Sequence, residues 1–374
     1  MTNAPKVIDL YSGVGGLSLS AANAGFNLIG AVEKEQRIIE SHAINFPGTV
    51  HVCADLSTLA PKTFKETFKI KDDGLAGLIG GPPCQGFSSM GKRVLTDERN
   101  NLFSDFFKWV LRLRPAFYLA ENVPGILDVQ YGDIRRNALK IVEKQYHTLE
   151  PIKVSANDFG AATTRTRILF IGVRKDIKGA ELIPAALDKM KAKNLCTVSE
   201  ALAGLPLNIS EDWLDYSSSW RKIETSLNNK YLRNLNVIQD GIGDKLAIKR
   251  FEKELEVSSC FGTRHSTEVA TRYRKLVPGQ QDAISKSIKL KADGLCPTLR
   301  AGTDSSKGSF QAVRPIHYSQ DRVITPREAA RLQGFPDWFQ FHTTKWHSFR
   351  QIGNSVCPVA GEKILSVIKS TLNM

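Results

Sequence analysis

Short apolar segments alternate with helix-like or loop-like segments over the first third of the chain. Five of these segments have the length and the branched or aromatic composition of buried strands. They cover residues 7–11, 28–32, 50–54, 75–79 and 117–120. Such alternation predicts right-handed crossovers and an α/β fold with a doubly wound, mostly parallel sheet.

The pattern changes twice further along the chain. Runs at 148–154 and 168–173 are predicted to form an antiparallel pair that closes the sheet, after helices at 102–113 and 134–146. Periodicity weakens from about Lys175, which predicts a smaller, irregular domain over 175–324 after a first domain over 1–174. A last segment, 325–374, contains a helix at 326–332 and a final helix ending near 368, before which Asn354 and Ser355 are cap-type residues.

Small and acidic residues follow the first strands. Gly13 and Gly15 lie in a turn after the first strand, while Glu33 and Asp55 end the next two. A glycine turn lets the backbone approach a nucleoside, and a carboxylate accepts hydrogen bonds from ribose hydroxyls. A dinucleotide is the alternative ligand, but Ser18 stands where its fingerprint has a third glycine. We therefore expect a cofactor that contains adenosine without a pyrophosphate.

The fourth strand runs into the sequence GGPPCQGFS at 80–88, which places Cys84 on a stiff turn. Ligands of open α/β sheets bind at this strand edge, so a polarisable nucleophile here suggests covalent catalysis. A lone cysteine is otherwise commonly a small buried residue. The polar segment 86–101 that follows is typical of a mobile active-site loop. Glu121 ends the fifth strand, so its carboxylate is expected at the same edge.

Charge and cysteine content restrict the partners. The 51 Lys and Arg residues exceed the 38 Asp and Glu residues, giving a formal charge of +13, and residues 245–322 alone contribute 15 basic against 8 acidic residues. This balance favours a polyanion such as nucleic acid. The 6 cysteines contain no CxxC pair, so neither a disulfide framework nor a metal site is expected. No apolar run reaches the roughly 18 residues of a membrane span, and we expect a cytoplasmic protein.

The order DLYSGVGGLS, GPPCQGFS, ENVPG, RTR, TPREAARLQGFPD and QIGNSVCP resembles that of the DNA (cytosine-5) methyltransferases, S-adenosylmethionine-dependent enzymes of the prokaryotic restriction-modification type. The likeness covers 7–173 and 325–371. It implies a class I methyltransferase fold, a catalytic and cofactor-binding first domain, and a target-recognition domain that binds DNA over 175–324.

The resemblance also implies roles for individual residues. The catalytic group would be Cys84 as the nucleophile, Glu121 at the ring nitrogen of cytosine, Arg165 at its carbonyl oxygen and Arg167 alongside. The cofactor-binding set would be Tyr11, Gly13, Gly16, Leu17, Glu33, Asp55, Pro83, Asn354, Ser355 and Val356. Lys92, Arg93, Arg99, Arg264, Arg272, Arg274, Arg300 and Arg314 are the candidate DNA contacts. No metal is implied, and the product would be S-adenosylhomocysteine.

Double-stranded DNA is the implied partner, with the target base flipped out of the stack. A monomer is expected, with a cognate restriction endonuclease that acts on the same site. An RNA cytosine methyltransferase, in particular one acting on transfer RNA, is the first alternative, and a catalytically silent DNA-binding protein is the second. An NAD-dependent dehydrogenase is a distant third. Two positions depart from the family pattern: Tyr11 replaces a usual Phe, and Thr163 replaces a common Gln.

Overall fold

The computed structural model describes residues 4–70, 74–83, 101–209, 219–224, 229–301 and 313–374. Cys84, residues 86–100 of the segment predicted as an active-site loop, and the candidate DNA contacts Lys92, Arg93 and Arg99 lie outside the described residues.

Within the described residues, eight strands form one sheet, and a short ribbon lies apart from it. The sheet strands are β1 (Lys6–Leu10), β2 (Asn27–Glu33), β3 (Val50–Cys53), β4 (Gly77–Gly80), β5 (Phe117–Asn122), β6 (Tyr146–Thr148), β7 (Ile152–Ser155) and β8 (Thr166–Arg174), and the ribbon pairs β9 (Arg221–Lys222) with β10 (Glu256–Val257). The order is β3-β2-β1-β4-β5-β8-β6, with β7 also beside β8. Strands β1 to β5 are parallel, while β6, β7 and β8 pair in antiparallel fashion. The mostly parallel fold predicted from the sequence is confirmed.

Helices cover both faces of this sheet. They are α1 (Gly16–Asn23), α2 (Gln36–Asn45), α3 (Pro61–Thr67), α4 (Asn101–Leu113), α5 (Gly132–Lys140), α6 (Ile183–Lys189), α7 (Val198–Leu202), α8 (Lys230–Leu235), α9 (Lys245–Lys249), α10 (Thr267–Lys275), α11 (Pro326–Gln333), α12 (Lys345–Asn354) and α13 (Pro358–Thr371). Because neighbouring strand residues point to opposite faces, Leu119 joins the core beneath α1 and α13, whereas Tyr118 joins the core beneath α4. None of the helices in the described ranges is long and apolar enough to cross a membrane.

Two sequence predictions within the first domain need correction. The run at 148–154 is two short strands, because the pairing with β8 is interrupted after Leu149 and Pro151 has no amide hydrogen to donate. The helix predicted at 134–146 is the shorter α5, which ends at Lys140, and Tyr146 already belongs to β6.

The sequence prediction for the C-terminal segment also missed a helix. Asn354 is the last residue of α12 and Ser355 is its C-cap, so neither residue caps the start of the final helix. That helix, α13, begins at Pro358 with Cys357 as its N-cap, and it packs against α1. The region from Lys175 onward shares this core, since α6 packs against α13. The division at 174 and 324 stays a prediction.

Buried arginines of α11 join the C-terminal segment to the rest of the molecule. Arg331 donates hydrogen bonds to both carboxylate oxygens of Asp337 at 2.7 and 2.9 Å and to the carbonyl oxygen of Ala203 at 2.6 Å. Both side chains of this ion pair are fully buried. Burial opposes the charged form of Asp337, but the Arg331 guanidinium outweighs it and keeps the pKa of Asp337 below its ordinary value.

Removing one partner of this buried ion pair should lower the free energy of unfolding far more than removing one partner of an exposed ion pair. We expect Asp337→Ala to lower the free energy of unfolding by about 3–5 kcal/mol, because Arg331 would be left as an uncompensated buried charge. Asp321→Ala is the matched control, since Asp321 pairs with the largely exposed Arg274. Urea denaturation measures both variants. Equal losses would contradict a structural role for the buried pair.

A second buried hydrogen-bond network connects the first strands and helices of the chain. The Ser18 hydroxyl donates to Asp9 at 2.6 Å and lies 2.9 Å from His42, whose other ring nitrogen lies 2.9 Å from His51. These contacts link β1, α1, α2 and β3. Burial raises the pKa of Asp9 to about 7, although the hydrogen bond from Ser18 acts in the opposite direction. Burial also keeps the pKa of His42 well below its ordinary value.

The Asp9 carboxyl should therefore make stability depend on pH. Between pH 4 and 7 the unfolded chain ionises Asp9 while the folded chain keeps its proton, so wild-type stability falls relative to Asp9→Asn as the pH rises. The loss in the free energy of unfolding of wild type relative to Asp9→Asn should reach about 2–4 kcal/mol by pH 7 and stay constant above that pH. Urea titrations of both proteins at several pH values measure it, with Asp133→Asn at an exposed carboxylate as the control. Parallel pH profiles for wild type and Asp9→Asn would contradict the prediction.

Candidate active site

The strand order brings the acidic and small residues to one edge. Following the sheet from β3 to β5, the carboxyl ends deliver Asp55, Glu33, the turn at Gly13, Pro83 and Glu121 in that sequence. Because β8 is antiparallel to β5 and pairs Ile168 with Asn122, its amino end lies at the same edge. The RTR segment that precedes and begins β8 is therefore part of this edge as well.

The glycine turn is tightly enclosed on one side and open on the other. A side chain at Gly16 would collide with the Ser355 hydroxyl and the Val356 carbonyl, so glycine lets the C-terminal segment lie directly on the turn. Gly13 has a φ of +56°, which favours glycine. A methyl group built on Gly13 would have no described atom within 4 Å, which leaves space above the turn.

Glu33 is held by the backbone around it. Its carboxylate accepts hydrogen bonds from the amides of Gly13 at 3.1 Å, Lys34 at 2.8 Å and Glu35 at 3.0 Å. Burial raises the pKa of Glu33, while these backbone bonds act in the opposite direction. A carboxylate has about four acceptor positions, so capacity remains for a ligand hydroxyl.

Asp55 is paired with a lysine that the sequence analysis did not single out. Its carboxylate accepts from Lys34 Nζ at 2.7 Å and from the backbone and hydroxyl of Ser57 at 2.9 and 2.7 Å. The bond from Lys34 is the main cause that lowers the pKa of Asp55 to about 2, so the group is ionised at neutral pH. Asp55 thus has a fixed orientation beside Glu33 at the strand edge.

The remaining candidate cofactor residues surround the turn. Tyr11 has a φ of +56° and donates from its hydroxyl to the carbonyl of Leu102, while Leu17 is buried in α1. The α12 helix approaches from the C-terminal side, where Arg350 forms two hydrogen bonds, at 2.6 and 2.7 Å, with Glu35. This ion pair joins α12 to the loop after β2, and Asn354 follows one turn later.

Glu121 is the buried acid beside the proline turn. Its Oε1 lies 2.6 Å from Nε of Arg167, and a methyl group built on Gly81 would lie 3.5 Å from its Oε2. The neighbouring Asn122 donates from its side-chain amide to the carbonyl of Pro82 at 3.4 Å. The ENV segment is thus in contact with the backbone that leads to Cys84.

The two arginines of the RTR segment have different partners. Arg167 contacts Glu121, whereas the buried Arg165 donates to the carbonyl of Leu299 at 3.4 Å. Thr163, which departs from the family pattern, is fully buried and forms an isolated parallel β-bridge with Cys296. The segment from Cys296 onward therefore lies against the amino end of β8, which the sequence pattern did not reveal.

The candidate DNA contacts of the middle region fall into two groups. Arg272 pairs with the buried Asp282 at 2.7 Å, and Arg274 pairs with Asp321 at 2.7 Å. Arg264 and Arg300 are exposed, while Arg314 is half-buried over an aromatic ring. Charge counting identified the basic region, but it does not show which guanidinium groups already hold a carboxylate.

Several contributors to the site carry no motif that identifies them. Lys34, Arg350 and Leu299 act through an ion pair or a backbone carbonyl, and their partners are far away in the sequence. Only the position of Lys34 next to Glu33 offered a signal. In the part of the chain that the structure describes, no group of three or more metal-ligating side chains is found.

Comparison with known proteins points to one family. A family model described as C-5 cytosine-specific DNA methylase matches residues 5–370. The chain is 34% identical to the type II methyltransferase M.XorII of Xanthomonas oryzae over 98% of its length and 85% of that protein, and 31% identical to M1.HphI of Haemophilus parahaemolyticus over 98% and 87%.

Solved structures show the same architecture. A crystal structure assigned as a DNA modification methyltransferase encoded within an E. coli prophage is 46% identical, covers 99% of this chain and 100% of its own, and superposes with a TM-score of 0.88. The S. pombe Dnmt2 methyltransferase, at 19% identity and a TM-score of 0.62 over 99% and 100%, shares the fold. The chain belongs to the C-5 cytosine-specific DNA methylase family.

Proposed function

We propose that the edge formed by Glu33, Glu121, Arg165 and the turn before Cys84 is the active site for methyl transfer to carbon 5 of cytosine in duplex DNA. The observation that carries this proposal is the pairing of Glu121 with Arg167, together with the position of Glu121 Oε2, which lies 3.5 Å from a methyl group built on Gly81, three residues before Cys84. This supports the acid as a partner of Cys84, because Gly81 leads along the chain to that residue.

The residues at the glycine turn fit S-adenosylmethionine. The open space above Gly13 admits a ligand against the backbone, and the remaining acceptor capacity of Glu33 suits a ribose hydroxyl. Asp55, Leu17, Tyr11 and Pro83 would complete the adenosine side, and the 354–356 segment would close the other side. When bound, this cofactor supplies an electrophilic methyl group.

Cys84 is proposed to activate the cytosine. Carbon 5 of cytosine is a poor nucleophile, but addition of a thiolate to carbon 6 converts the ring into an enamine-like species that reacts at carbon 5. Loss of the carbon 5 proton and elimination of the thiolate then restore the aromatic ring and free Cys84. The target base must leave the stack for both faces to be reached.

Glu121 and Arg165 would hold the base during addition. A carboxylic acid at Glu121 shares a proton with the ring nitrogen and so neutralises the charge that thiolate addition places there. Arg167 orients this carboxyl through its 2.6 Å contact. Arg165, held by the carbonyl of Leu299, would donate to the carbonyl oxygen of the base.

We further propose that the chain is the modification enzyme of a type II restriction-modification system. The support is that the curated relatives M.XorII and M1.HphI are named type II methyltransferases and are matched over nearly the whole chain. These names favour DNA over the RNA alternative. We therefore expect methyl transfer from labelled cofactor to duplex DNA but not to transfer RNA. Transfer to RNA alone would overturn the proposal of a DNA substrate.

Covalent trapping tests the nucleophile. Duplex DNA that carries 5-fluorocytosine in its target site should form a stable complex with wild type in the presence of S-adenosylmethionine, because fluorine cannot leave as a proton does. Cys84→Ser should form none, although it should bind the same duplex. Cys53→Ser, at an exposed cysteine, is the matched control and should trap like wild type. Denaturing electrophoresis detects the complex. Its absence from wild type under conditions where DNA binds would overturn the mechanism.

Substitution of Glu121 should separate chemistry from cofactor binding. We expect Glu121→Gln to lower the rate of methyl transfer by about 10²–10⁴, because an amide cannot share a proton with the ring nitrogen. The rise in melting temperature caused by S-adenosylhomocysteine should remain as in wild type, whereas Glu33→Ala should lose most of it. Single-turnover assays and thermal shifts measure the two effects. A full rate for Glu121→Gln would contradict the assigned role.

A further inference from the structure

A short hairpin in the middle region, residues 279–290, is built into a small core. Its two arms meet at an antiparallel bridge between Gln281 and Ile288. The returning arm also forms a parallel bridge from Lys289 to Ile316, which is fully buried in a cluster with Tyr273. The arms of the hairpin are therefore fixed by pairing on both sides.

The tip of the hairpin, residues 283–286, is held by the buried carboxylate of Asp282. Arg272 donates to both oxygens of this carboxylate, from Nε at 2.7 Å and from a terminal nitrogen at 3.2 Å. The amide of Ser285 donates to it at 2.6 Å, and the Tyr273 hydroxyl donates to the Ser285 hydroxyl at 3.2 Å. Because these bonds order the tip in advance, a partner that binds it would cost little conformational entropy.

Ile284 lies at this tip with 72% of its surface exposed. A single exposed apolar side chain is common on protein surfaces. What distinguishes Ile284 is the charge around it, because residues 272–291 contain six basic residues and one acidic residue, the buried Asp282. The basic residues are Arg272, Arg274, Lys275, Lys286, Lys289 and Lys291, of which all but Arg272 and Lys289 are exposed. An apolar tip on a basic hairpin is complementary to a polyanion that has apolar groups of its own.

We propose that this hairpin enters the major groove of the DNA substrate and that Ile284 contacts the methyl group of a thymine there, which makes Ile284 a specificity-determining residue. The major groove admits a two-stranded ribbon, and the thymine methyl is the apolar group that its base edges present. The exposed lysines of the hairpin would lie near the phosphates that border the groove, and these contacts position the hairpin without reading sequence. The inference rests on duplex DNA as the substrate of the chain.

Removing the methyl group from the DNA and the side chain from the protein tests this contact. The sequence around the target cytosine is first identified by bisulfite sequencing of DNA that wild type has methylated. Fluorescence anisotropy, with S-adenosylhomocysteine saturating, then compares the cognate duplex with duplexes in which one thymine at a time is replaced by uracil. Wild type should lose affinity by about fourfold at one of these thymines, as expected for one buried methyl group.

The protein variants should identify Ile284 as the partner of that methyl group. Ile284→Ala should bind the cognate duplex about tenfold more weakly than wild type, and uracil at the sensitive position should cause it no further loss. Ile284→Val should keep most of the affinity and the sensitivity to uracil. Leu182→Ala is the matched control, because Leu182 is an exposed leucine that directly precedes α6, and it should behave like wild type.

Three outcomes would overturn the proposal. Tolerance of uracil at every thymine of the site by wild type would show that no methyl group is contacted. Sensitivity of Ile284→Ala equal to that of wild type would assign the contact to another residue. Unchanged DNA binding by Ile284→Ala, together with altered sedimentation of the protein, would show that the tip contacts a second copy of the chain. Trapping of Ile284→Ala by 5-fluorocytosine at saturating DNA should persist, so failure of this contact is distinguishable from failure of the proposed catalytic mechanism.

Discussion

The buried guanidinium groups of α11 are the constraint on which the rest of the structure depends. Arg327 donates to the carbonyls of Ser258, Pro336 and Phe339, each at 2.9 Å. Arg331 holds Asp337 and the carbonyl of Ala203. A cation this deeply buried is tolerated only when its donors are satisfied. The middle region and the loop after α11 must therefore be docked together, and this docking directs the chain back toward the sheet.

The return of the C-terminal segment completes the proposed cofactor site, which residues 1–174 do not form alone. Gly16 has no side chain because Ser355 and Val356 occupy that space, and Glu35 receives Arg350 from α12. Asn45 adds a further link, since its amide donates to the carbonyl of Gln340 and its oxygen accepts from the amide of the same residue. The proposed nucleoside-binding turn at residues 12–16 thus depends on residues more than three hundred positions away.

Local pattern predicted those features of the site that are themselves local. Apolar runs, and the glycines and acids that end them, predict the strands, the glycine turn, and Glu33 and Glu121 at the strand ends. In the structure these features lie at one edge of the sheet. Register and packing decide the rest. That Arg167 contacts Glu121 while Arg165 contacts Leu299 depends on how β8 pairs with β5 and on where a distant segment docks. For the same reason, charge counts could not show which arginines already hold a carboxylate.

The sequence analysis missed the α12 helix because the residues at its end are of the types that usually precede a helix. Gly353, Asn354 and Ser355 have the composition of a turn and cap, yet Gly353 lies inside α12. A glycine is required there because a side chain would approach the backbone of Ala301 to 2.7 Å. Packing this close leaves little freedom for the segment around Ala301 to shift without moving the end of α12. The same segment supplies Leu299, which holds Arg165. The proposed base-holding arginine and the proposed cofactor contact at Asn354 therefore both pack against the segment 299–301, so a shift of that segment would move both of them.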